Sequence, residues 1–148
     1  MSQGEVLGPL DESVGYVLKR AANALRSAME AALRPLDLTV PQYSCLEVLA
    51  QRPGLSNAEL ARAVFVTRQS MNLVLRGLQE RGLVARPDSA PHGRARPTEL
   101  TPAGRERHRE ASAVVRAVER RMLEPLSDGE QEQLLRGLVA CVEALGTE

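Results

Sequence analysis

Arg68, Gln69, Asn72 and Arg76 are the residues of this chain best suited to chemistry, and the chemistry is recognition rather than catalysis. Gln and Asn can each set a paired donor and acceptor against an adenine edge, and Arg can set two donors against guanine. Gln69, Asn72, Leu73 and Arg76 fall at i, i+3, i+4 and i+7, so a helix would carry them in one row. Arg68 and Ser70 lie at the N-terminal end of the same segment, where a hydroxyl suits a phosphate oxygen. Met71, Val74, Leu75 and Leu78 repeat the spacing on the other side and make an apolar stripe for a core. A polar outer face is also what most solvated helices show, so the neighbouring elements must decide between the two readings.

Those elements favour DNA. Ser56 and Glu59 form an S-x-x-E capping box that opens a short helix from Asn57 to about Val64, with Leu60, Ala61 and Val64 on one face. Thr67 offers the next N-cap, and Gly82 ends the helix that carries the reading row. Leu83 to Arg86 is strand-like, and Pro87 to Gly93 holds two prolines, an Asp, a Ser and a Gly, which suit a loop. Arg94 and Arg96 stand at the far edge of that loop before Thr98–Leu100 returns as a second strand, kept short by Pro97. Two capped helices, a strand, an arginine-bearing tip and a strand are the order of a winged helix-turn-helix. Arg94 and Arg96 are then placed for a narrow minor groove, and Arg86 for phosphate.

From about Leu38 to Gly104 the chain resembles the MarR family of transcriptional regulators. LTVPQYSCLEVLAQRPGLSNAELARAVFVTRQSMNLVLRGLQERGLV resembles that family's core, and GRARPTELTPAG its wing and the start of the following helix. The flanking segments fit as well, so the likeness covers nearly the whole chain. In that family an Asp-x-Arg pair at the wing positions a minor-groove arginine. The matching positions here are His92-Gly93-Arg94, with the arginine kept and the acid replaced.

The 148 residues suit a single domain with one core, mainly α. Net charge is zero, but residues 62 to 109 hold ten Arg against four acidic residues, a local net of +6 that leaves −6 elsewhere. A basic middle between acidic ends is the footprint of a localised phosphate-contacting surface. Lys19 is the one lysine, and arginine, the better bidentate ligand, supplies every other basic charge. No run of about 18 apolar residues suits a membrane span, and no signal-peptide pattern is present, so a cytoplasmic location is expected. Cys45 and Cys141 have no C-x-x-C spacing and are expected as packed thiols.

The ends of the chain are expected to pair. Residues 12 to 34 place Val14, Val17, Leu18, Ala21, Leu25, Met29 and Leu33 at helical spacing, closed by Pro35. Thr101-Pro102 opens a long helix to about Leu123, and a Ser127/Glu130 capping box opens another through Leu134, Leu138, Val142 and Leu145. Their apolar faces exceed what one protomer needs, which points to a two-fold homodimer presenting two recognition helices. The organisation expected is one protomer over 1–148, a winged helix-turn-helix lobe at 38–100, and a helical dimerisation region at 10–35 and 101–146.

No nucleotide-binding, zinc-protease or C-x-x-C motif occurs, so neither enzyme, cofactor nor metal is expected. His92 falls in the wing and His108 in an Arg/Glu run read as a solvated helix face. The function expected is a sequence-specific transcriptional regulator on a palindromic duplex operator. The resemblance further implies a repressor released by a small molecule. Tyr16, Arg20 and Tyr43 are the residues whose phenol and guanidinium groups could orient a small anionic aromatic effector, though each Tyr equally suits packing. Two alternatives stay open on the sequence: a redox-sensing regulator acting through a cysteine, and a winged-helix interaction module that never binds DNA.

Overall fold

A computed structural model of the protein describes residues 9–86 and 97–146. It is built from six helices and one small hairpin. Helix α1 (Val14–Leu33) starts at Ser13, whose hydroxyl accepts the Tyr16 amide at 3.4 Å. The chain leaves α1 through a 3-10 turn, Arg34–Leu36, where Pro35 is tolerated, and Asp37 closes it in the left-handed region at φ 60. Helix α2 (Val40–Gln51) opens on a capping box between Thr39 and Gln42. The Ser56/Glu59 box opens α3 (Asn57–Val64), and Thr67 caps α4 (Arg68–Glu80) by accepting the Ser70 amide at 3.0 Å.

Gly82 takes φ 73, a conformation a glycine adopts without a Cβ clash, and turns the chain from α4 into β1 (Val84–Ala85). Strand β1 pairs antiparallel with β2 (Glu99–Leu100) in the register Val84↔Leu100 and Ala85↔Glu99. Thr98 also bridges Leu55, the segment just ahead of α3. Each strand is shorter than its sequence pattern. Helices α5 (Pro102–Leu123) and α6 (Asp128–Leu145) begin at the expected caps, Thr101 and Ser127.

The core lies between α2, α3, α4 and the hairpin. Leu46, Leu60, Met71, Leu75 and Leu78 are all 0% exposed, and Leu33 and Ala111 bring α1 and α5 onto the same cluster. Helix α6 differs, because none of its residues is buried and Leu135, Val142 and Leu145 stand open to solvent.

Helix α5 joins this core by close backbone approach. A Cβ built on Gly104 would lie 1.9 Å from the Leu83 carbonyl oxygen. The Thr101 hydroxyl accepts the Gly104 amide at 3.0 Å and donates to the Gly82 carbonyl at 2.6 Å, so one side chain caps α5 and ties it to the end of α4. Neither backbone can retreat cheaply from that contact. Gly104→Ala is therefore expected to destabilise the fold by about 2–4 kcal/mol, the range of severe overpacking. Urea denaturation would show this as a lowered midpoint with an unchanged slope.

Candidate nucleic-acid interface

Helix α4 is two-faced. Met71, Leu75 and Leu78 are 0% exposed, whereas Arg68, Gln69, Ser70, Asn72 and Arg76 are all exposed and Leu73 is 62% exposed. The first turn of α4 carries no acid, so its free amides and the Arg68 charge present one sign to an approaching phosphate. Asn57, at the start of α3, donates its side-chain amide to the Asn72 Oδ1, a contact across 15 residues that orients the middle of the row. Arg86 is half-buried at the end of the hairpin's first arm. His92, Arg94 and Arg96 lie outside the described residues.

The far end of α4 is held from two sides. Arg81 donates to the Asp37 carbonyl at 2.6 Å and to the Leu36 carbonyl at 3.5 Å, and Arg107 of α5 donates to the same Leu36 oxygen at 2.6 Å. Beside this junction an open cleft of about 830 Å³ runs between α1, α2 and α4, lined by Arg26, Glu30, Arg34, Asp37 and Arg81 together with Leu38, Leu73 and Val74.

The residues expected around an effector are set in different places. Tyr16 is 39% exposed on the first turn of α1. Arg20 reaches Asp11 at 3.6 Å. Tyr43 is 7% exposed, with its hydroxyl 3.1 Å from Glu47 and 3.4 Å from Ser112. Tyr43 thus belongs to a polar network that the sequence reading missed. His108 Nε2 lies 2.6 Å from Glu47 Oε1 and 3.1 Å from Ser112 Oγ, and its ring stacks on Tyr43 with centroids 6.3 Å apart. His108 is therefore no part of a solvated face: α2 and α5 close over it. Ser, His and Glu together invite a hydrolase reading, but serine and carboxylate meet the same imidazole nitrogen. A nucleophile–base–orienter relay needs one on each nitrogen. Ser112 is also only 4% exposed, so the cluster ties α2 to α5.

The cysteines differ from each other. Cys45 is 0% exposed, and burial pushes its thiol up to about 12, which withholds the reactive thiolate. Cys141 is exposed on the protomer, contrary to the expectation of a packed thiol, because it lies on α6, which buries nothing against its own chain. No helix among the described residues is long and apolar enough to cross a membrane.

A sequence profile of the MarR family matches residues 36–95. The HTH-type transcriptional repressor Rv2887 of Mycobacterium tuberculosis is 47% identical over 138 residues, 93% of this chain and 96% of that protein. The chain belongs to the MarR family. A crystal structure of the Mycobacterium tuberculosis MarR family protein Rv2887 in complex with DNA superposes with a TM-score of 0.75 at 45% identity, covering 93% of this chain and 100% of that one. Another, of Rv2887 with salicylic acid, gives 0.72 at 48% identity over 92% and 98%.

Within this MarR protein the half-buried Glu47 network makes a pH-dependent contribution. Burial pushes the Glu47 carboxyl up, but hydrogen bonds with His108, Gln51 and Tyr43 together outweigh it and hold the group below its ordinary 4.5. A carboxylate depressed in the folded state stabilises above its unfolded value, and that share is lost as pH falls through the folded one. Glu47→Gln is expected to cost about 1–2 kcal/mol at neutral pH, the size of a charge-assisted hydrogen bond in a partly open site. It should also flatten the loss of stability below pH 4.5, read from thermal unfolding across an acid series.

Proposed function

We propose that the protein is a homodimeric transcriptional repressor that reads a palindromic duplex operator with α4 and releases it on binding a small anionic aromatic effector. The observation that carries this reading is the division of α4 into a stripe at 0% exposure and an exposed row of Arg68, Gln69, Asn72 and Arg76. A helix so anchored can present bidentate hydrogen-bonding groups to base edges without moving. Ser70, Arg86 and the helix N-termini would take phosphates, Leu73 an apolar base edge, and Arg94 and Arg96 the minor groove. The relative with 47% identity carries the name of a repressor, and its structures with DNA and salicylic acid support both halves of the reading.

Dimerisation follows from the apolar surface outside the 38–100 lobe. Val14, Val17, Leu18, Leu25, Met122 and Leu138 line an open groove of about 570 Å³ between α1 and the last two helices. Leu135, Val142 and Leu145 extend it along α6 at 64%, 54% and 82% exposure. Segments 10–35 and 101–146 of two copies would cover each other there. For the effector, the cleft sets Arg26, Arg34 and Arg81 beside Leu38, Leu73 and Val74; Glu30 takes Arg26 at 3.4 Å, which leaves Arg34 and Arg81 for a carboxylate on an aromatic ring. Tyr43, already bonded inside the protomer, is better read as packing, and Tyr16 and Arg20 as residues near the dimer face. The reading needs no cofactor and places the protein in the cytoplasm.

Arg76→Ala is expected to weaken binding to the preferred operator by about 1–3 kcal/mol and to relax base preference at one position. Equal losses on operator and random duplex would instead make Arg76 a phosphate contact. Leu138 is 39% exposed on the protomer, so Leu138→Asp should leave each chain folded while abolishing the dimer. Sedimentation should then give a monomer with a wild-type helical spectrum. A wild type already monomeric at micromolar concentration would end the dimer argument.

A further inference from the structure

Phe65 is the only phenylalanine in the chain, and at 89% it is the most exposed large hydrophobic residue among those described. It caps α3 in the left-handed region, at φ 65 and ψ 42. Asp37 is the only other described non-glycine with a positive φ, and aspartate tolerates that region through its short polar side chain. A bulky aromatic does not: its Cβ crowds the backbone there, and glycine would take the same turn freely. Stability therefore gains nothing from Phe65, neither from its backbone nor from its ring. Strain that the surroundings hold in place is a pointer to function. The position supplies the function, because Phe65 stands two residues before Thr67, the cap of α4, and three before Arg68. The ring is thus carried just ahead of the helix that bears the exposed row.

Resting on that reading of α4, we propose that Phe65 is a DNA-contacting residue whose ring packs on the apolar edge of the duplex beside the bases read by α4. Two groups present such an edge, the thymine C5-methyl and the deoxyribose. An aromatic contact of this kind carries no charge, so it adds affinity that salt does not screen. Against a methyl it also discriminates thymine from cytosine. Leu73, 62% exposed in the reading row, gives the same surface a second apolar point.

The test uses the full chain and a duplex that the wild type selects from a random library. Phe65→Gly removes both ring and strain. It is expected to raise the melting temperature by about 2–5 °C while lowering affinity for the selected duplex about tenfold, the size of one lost base contact. The dependence of affinity on salt should stay as in the wild type, because the lost contact carries no charge. Phe65→Ala keeps the strained backbone and should lose the affinity without the thermal gain. Replacing thymine by deoxyuridine in the selected duplex separates the two sources. A loss for the wild type that Phe65→Gly does not share assigns the methyl, and no loss for either, with Phe65→Gly still weak, assigns the sugar. Phe65→Gly binding the selected duplex as tightly as the wild type overturns this inference alone. A wild type that selects no duplex overturns it together with the reading of α4.

Discussion

The contact between Gly104 and the Leu83 carbonyl is the constraint on which the placement of α4 depends. With any side chain at 104 the first turn of α5 could not reach that oxygen, since even a Cβ would stand 1.9 Å from it. Around this approach the three residues that end the α4 segment are each tied to something else. Arg81 bonds the turn after α1, Gly82 receives the Thr101 hydroxyl, and Leu83 accepts the Thr101 amide at 3.1 Å. A helix that reads base edges must hold its side chains to within about half an ångström, and it cannot do so from a frayed end. The buried stripe of Met71, Leu75 and Leu78 fixes its rotation, and these three ties fix its far end.

Electrostatics fit the same surface without any net charge on the chain. What matters is where the acids are held. Glu59 is the acid nearest the start of α3, and it turns back on the Ser56 amide at 2.8 Å. That backbone hydrogen bond holds its carboxyl below the usual carboxylate value, so its charge is shared with a helix N-terminus. Glu47 is likewise enclosed by His108, Tyr43 and Ser112. Arg68 and Arg76 are left outward on α4, where Glu80, four residues after Arg76, is the one acid of the helix itself.

Local features were legible in the sequence, and closures across long stretches were not. The caps at Ser56, Thr67, Thr101 and Ser127 lie where the residue types put them, because a cap needs only the next three residues. The stripe on α4 was readable for the same reason. His108 was misread because its neighbours in sequence are Arg and Glu, while the residue that encloses it, Glu47, is 61 positions away. Asn57 reaches Asn72 across two helices and a turn, and nothing in either segment alone announces it. The phenol of Tyr43 does not by itself distinguish a ligand contact from a buried bond to Ser112. The left-handed turn at Phe65 is not legible in the sequence, because glycine is the residue that marks such a position and a phenylalanine does not.

The junction at Leu36 explains why the proposed effector cleft and the proposed reading helix need no long pathway between them. Arg107 belongs to α5, which starts the segment proposed for dimerisation, and Arg81 caps α4, yet both guanidiniums converge on one carbonyl. Arg81 also stands at the rim of the cleft whose walls include Leu73 and Val74 of α4 itself. A carboxylate seated there, as proposed, would compete with the Asp37 and Leu36 carbonyls for the Arg81 donors, and its ring would press on α4. A ligand shifts an equilibrium only through contacts that differ between the two states. In the proposed reading those contacts are made with α4 and with the residue that ends it, so occupancy of the cleft and alignment of α4 would be alternatives at a single site.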